Sequence, residues 1–77
     1  MKKLQRLLGV LKQVRLEASL TQAQLADKLG HGQPYVSKYE TGEQRLDLLE
    51  IESICQAVGI TLQEFIKRYL DESKSKV

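Results

Sequence analysis

Residues 21–46 read TQAQLADKLGHGQPYVSKYETGEQRL, and the fold turns on how this stretch divides. Thr21, followed three positions later by Gln24, is a capping box: the hydroxyl accepts from a free N–H of the first helical turn while the Gln side chain accepts from the cap's own N–H. It predicts a short helix over Gln22 to Leu29, closed by Gly30, because the position just past a helix end takes a left-handed backbone that suits glycine. A second short helix is expected from about Gln33 to Glu40, with Gly32 as its N-cap. Pro34 fits there, since a proline in the first turn lacks only an N–H that would have no partner. Two short helices joined by about three residues, with glycine at the turn, form the arrangement that lays one helix in the DNA major groove. An ordinary helical corner has the same outline, so residue identities must decide between them.

Working outward, Asp47 with Glu50 and Thr61 with Glu64 repeat the capping-box pattern, predicting helices over Leu48 to Val58, closed by Gly59, and Leu62 to Leu70. Upstream, Leu4, Leu7, Leu8, Leu11, Val14 and Ala18 recur at three- and four-residue steps, which predicts a helix from about Lys3 to Glu17. Val10 and Leu16 fall off that stripe and are offered to a partner chain; Gly9 inside it costs about 1 kcal/mol, so this helix is expected to depend on tertiary packing. The polar tail Asp71 to Val77 is expected to fray. Strand-like alternation, repeats and low-complexity segments are absent from the sequence. The expected fold is all-α: a compact five-helix bundle in one domain, residues 1–77, with a helix-turn-helix at about 21–41.

Composition bounds what such a bundle can do. Seventy-seven residues at 42% hydrophobic content support one small core. Twelve Lys+Arg against ten Asp+Glu leave a net charge of only +2, but residues 1–39 carry +5 and residues 40–77 carry −3. One Cys and one His cannot make a disulfide scaffold or a structural zinc site, and a nucleophile with its base or an acid/base pair is not visible. The sequence therefore implies no catalytic residues, no metal and no cofactor. No apolar run reaches the ~18 residues of a membrane span, and no secretion signal is recognisable, so the expectation is a soluble protein of the cytoplasm without a membrane partner.

The stretch 21–46 resembles the lambda-repressor-like, Cro/cI-type helix-turn-helix family, also called the xenobiotic-response-element family of bacterial and phage regulators. The residues that carry the resemblance are Thr21-Gln22, Leu25-Ala26, Leu29-Gly30, Val36-Ser37, and Glu40 followed by Gly42, each at the family spacing, with weaker similarity from Arg15 through the fifth helix. His31 stands where the family usually has an apolar residue, and Gly32 where it usually has a Ser or Thr cap.

Roles divide by face. Val36 and Tyr39, three apart, are expected to point to the core, leaving Gln33, Pro34, Ser37, Lys38 and Thr41 as the reading face. Gln33 suits the two edge groups of adenine, Lys38 the O6 and N7 acceptors of guanine, and the Pro34 ring a thymine methyl. The resemblance implies the same base-contacting positions. Gln22, at the start of its helix, is expected to hold a phosphate with the helix N-terminus, a role the resemblance also implies. Lys28, Tyr35, Gln44 and Arg45 are further candidate phosphate contacts, ordinary surface residues being the alternative. Arg15 and Glu40 are expected to pair across the first and third helices, as the resemblance implies. Cys55 reads as a small core hydrophobe rather than a redox sensor. His31 reads as an exposed turn residue with a phosphate contact as the alternative.

Leu62, Phe65, Ile66, Tyr69 and Leu70 offer more apolar surface than so small a core needs, and are read as a homodimer interface. A symmetric dimer implies a palindromic double-stranded DNA operator with half-sites roughly 34 Å apart. The expected function is a sequence-specific DNA-binding transcriptional regulator, a small dimeric repressor or controller acting by promoter occupancy or by touching RNA polymerase or a partner protein. A protein-interaction adaptor built on the same bundle is the rival reading. A salt titration separates the two, because counterion release makes log affinity fall by about 0.9 per phosphate neutralised.

Overall fold

The computed structural model describes residues 2–74, which form five helices: α1 (Lys2–Glu17), α2 (Gln22–Leu29), α3 (Gln33–Thr41), α4 (Leu48–Val58) and α5 (Leu62–Lys74). The capping boxes on Thr21 and Asp47 are complete, each side chain accepting from the backbone three residues on and each partner side chain accepting from the cap N–H. At Thr61 the hydroxyl accepts from the Glu64 N–H at 3.0 Å. Gly30 and Gly59 end α2 and α4 with φ of +75° and +87°. The end of α1 carries no such glycine: Ser19 itself takes φ +60°, and the Leu20 N–H donates to the Arg15 carbonyl at 3.2 Å to close the helix.

The core is built from Leu11 and Val14 of α1, Leu25 and Ala26 of α2, Val36 and Tyr39 of α3, Ile54 and Cys55 of α4 and Phe65 of α5. Three readings change here. Val10 is 1% exposed and belongs to the core instead of a partner surface, because α1 packs against α3, α4 and α5 and is enclosed over a wider arc than one stripe. Leu16 does stay on the surface. Helix α5 continues through Asp71 to Lys74, so the part of the polar tail that is described is helical; residues 75–77 lie outside the described residues. Third, Phe65 is 3% exposed within the single chain and belongs to its core. Positions 62, 65 and 69 line the inner face of α5, Leu62 and Tyr69 half-buried against the core, while Ile66 and Leu70 remain exposed. Burial also pushes the Cys55 thiol up, which keeps it protonated and inert at neutral pH, as its packing role requires.

Tyr39 presents the reverse situation, a polar atom in an apolar place. Its side chain is fully buried, its hydroxyl has no hydrogen-bond partner among the described residues, and burial drives its ionisation far above the usual phenol range. Tyr39→Phe removes a group that is desolvated without compensation and leaves the ring packing intact. The expected result is a urea midpoint equal to or above that of the parent, with a gain of about 1 kcal/mol. A loss of that size would show that the hydroxyl is satisfied in solution.

Candidate nucleic-acid interface

The site begins with an ion pair that ties α1 to α3. The guanidinium of Arg15 grips the Glu40 carboxylate with two nitrogens, Nε to Oε2 at 2.7 Å and Nη2 to Oε1 at 3.2 Å, and spends Nη1 on the Leu20 carbonyl at 2.9 Å. Both side chains are nearly out of solvent, at 8% and 5% exposure. A buried charge stays ionised only when its hydrogen-bonding capacity is met, and the fork geometry of arginine on a carboxylate meets it. The pair therefore sets the depth and tilt of α3 against the scaffold.

From Glu40 the network runs outward to the surface. Gln22 Nε2 donates to Glu40 Oε1 at 3.0 Å, and Gln33 Nε2 donates to Gln22 Oε1 at 2.8 Å. An acidic anchor, the first residue of α2 and the first residue of α3 are thus joined in one chain of hydrogen bonds. Chain order alone placed Gln22 and Gln33 on separate helices with separate tasks. In the folded protein each fixes the amide orientation of the other.

Of the five side chains read as the reading face, Gln33, Pro34, Lys38 and Thr41 are exposed and Ser37 is half-buried. The Thr41 hydroxyl is engaged locally, donating to the Lys38 carbonyl at 3.1 Å and lying 3.2 Å from Glu43 Oε2. Val36 and Tyr39 point inward with no measurable exposure. The outer face of α3 therefore presents amide, ring, hydroxyl and ammonium groups, and none of these five side chains is acidic.

The turn into α3 is held in a way the sequence did not announce. Gly32 supplies no side-chain cap, but the His31 imidazole stacks flat on the Tyr35 ring, centroids 3.9 Å apart and planes 8° from parallel. Tyr35 in turn lies edge-on to Tyr39 at 5.7 Å, and its hydroxyl donates to Glu50 Oε2 at 3.4 Å. Burial, followed by the negative charge of Glu50, raises the Tyr35 ionisation. The two departures from the family pattern, His31 and Gly32, stand side by side here: the Gly32 cap has no side-chain hydrogen bond, and the His31 ring packs on the first turn of α3.

The remaining phosphate candidates are spread around this face. Lys28 is exposed beside a shallow groove that it lines with Leu29 of α2 and with Ser53, Gln56 and Ala57 of α4. Gln44 is half-buried and Arg45 exposed, both on the segment that leaves α3. That segment is tied back to the helix by the N–H groups of Glu43 and Gln44, which donate to the Lys38 carbonyl at 2.9 and 3.2 Å. Among the described residues no group of His, Cys, Asp and Glu side chains has the arrangement of a metal site, and no helix is long and apolar enough to cross a membrane.

The family model described as helix-turn-helix matches residues 11–65. A solved structure described as an XRE-family like protein from Pseudomonas syringae pv. tomato str. DC3000 is similar to this chain with a TM-score of 0.84 at 34% sequence identity, covering 92% of this chain and 87% of that one. No curated protein matches the sequence.

Proposed function

Because the chain belongs to the XRE-type helix-turn-helix family of DNA-binding regulators, we propose that it is a small dimeric repressor or controller that reads a palindromic operator with α3 in the major groove. The observation that carries this reading is the hydrogen-bonded chain from Arg15 through Glu40 and Gln22 to Gln33. It delivers a pre-oriented amide to the exposed start of α3, where adenine recognition requires both the carbonyl and the NH2 of a side chain to be aimed. Gln33, Pro34, Ser37, Lys38 and Thr41 are the proposed base contacts, with Gln22, Lys28, Tyr35, Gln44 and Arg45 on the phosphates. Ile66 and Leu70, with the rims of Leu62 and Tyr69, are what remains of the α5 surface for a second copy.

Selection of binding sites from a random duplex library, followed by a salt titration on the selected site, tests the proposal. If Lys28 and Arg45 each neutralise one phosphate, log affinity falls against log salt with a slope of about −1.8 per protomer, and Arg45→Ala reduces that slope by about 0.9. Lys38→Ala is expected to relax preference at one base pair by about 1–3 kcal/mol. Gln22→Ala, expected from the sequence to weaken all sites alike, also frees Gln33, so a general loss should come with relaxed preference at the Gln33 base pair. Absence of any enriched sequence at low salt would instead favour the adaptor reading.

A further inference from the structure

Away from the reading face, the first half of α1 and the segment leaving α3 enclose a cleft of about 120 Å³. Its walls include Leu8 and Leu11 of α1, Tyr39 of α3 and Leu46 of the segment, and its polar side chains are those of Gln44 and Arg45. Two observations make this more than a packing gap. The walls are mostly leucine, and apolar cavities of roughly 150 Å³ take up molecules the size of benzene. The one charged residue lining it, Arg45, is exposed and has no ion-pair partner among the described residues, and no carboxylate lines the cleft. Apolar walls with hydrogen-bond donors and one positive charge complement an anion with a small hydrophobic body.

We infer that this cleft is a binding site for a small aromatic or six-carbon aliphatic monocarboxylate, its hydrocarbon part between Leu8, Leu11 and Leu46 and its carboxylate on Arg45. The helix-turn-helix bundle itself would thereby sense a metabolite. On the reading of Arg45 as a phosphate contact, the bound acid and DNA compete for the same guanidinium.

Backbone amide NMR of the full chain titrated with sodium benzoate tests the site without DNA, using acetate and benzyl alcohol as controls. Saturable shifts are expected at Leu8, Leu11, Gly42 and Leu46, with a dissociation constant on the order of 1 mM or below, the range open to about nine non-hydrogen atoms. Benzyl alcohol, of the same size without the charge, should bind more weakly. Arg45→Gln, a surface change that leaves the core alone, should weaken benzoate about tenfold and leave benzyl alcohol unchanged. Shifts that fail to saturate up to about 10 mM, or that acetate reproduces, overturn the site. Equal loss of both ligands in Arg45→Gln, or of neither, overturns the carboxylate assignment. In the DNA arm, saturating benzoate should reduce affinity for a duplex several-fold beyond an equal concentration of acetate. An unchanged affinity overturns the competition alone, and a protein that binds benzoate yet no duplex at low salt counts against the DNA reading instead.

Discussion

Arg15→Met and Glu40→Gln should each lower the free energy of unfolding by about 3–5 kcal/mol, because each leaves the other member of a buried pair without its partner. A domain of this length has roughly 4–11 kcal/mol to lose, so either variant should be partly unfolded near its working temperature. The double variant should cost clearly less than the sum of the two, since removing both charges also removes the desolvation that made each single change expensive. Urea unfolding of the four proteins of the cycle measures this directly. Strict additivity would mean that the bridge does not act as a unit. A residue of loss should persist in the double variant, because Arg15 also holds the Leu20 carbonyl at the end of α1 and Glu40 also holds Gln22. Glu40→Gln should therefore disturb DNA reading even under conditions where the protein stays folded, by releasing the amide chain that ends on Gln33.

Phe65→Ala should be as damaging, at about 3–5 kcal/mol, through the cavity left where the ring fills the junction of α5 with the core. This number separates two roles that the sequence had merged. If Phe65 acted in a dimer interface, its loss would lower stability only as far as association contributes, and the effect would grow with protein concentration. As a core residue it should cost the same in dilute and concentrated samples. Ile66→Ser, one residue along on the exposed face, is the matched control: it should leave dilute protein nearly unchanged and reduce self-association in sedimentation. A concentration-dependent penalty for Phe65→Ala would reverse the assignment of α5's faces.

Local chemistry made most of the fold legible. Helix starts are decided within four residues by a side-chain oxygen and a Glu or Gln, which is why α2, α4 and the start of α5 were readable to the residue. Glycine ends at 30 and 59 are equally local, whereas α1 ends on Ser19, a residue type with no strong preference for a left-handed backbone, and gave no signal. Periodicity identified Leu11, Val14, Val36 and Tyr39 as inward-facing. It failed for Val10, because period reports direction around one helix and carries no information on how many neighbours that helix will meet.

The site divides along the same line. Residue types and spacing marked Gln22, Gln33 and Lys38 one by one, since each needs only its own helix to be placed on a face, while the family resemblance implied the Arg15–Glu40 pair. That Gln22 bonds Gln33 and Glu40 together, and that Phe65 is core while Ile66 is surface, are facts of distance between different helices. The sequence by itself determined the five helices, their order and the polar face of α3, because capping, backbone preference and periodicity act over a few residues. Only the tertiary structure decided which polar groups beyond Arg15 and Glu40 share hydrogen bonds and which apolar faces are covered, because those follow from helix packing, where burial depends on every neighbour at once.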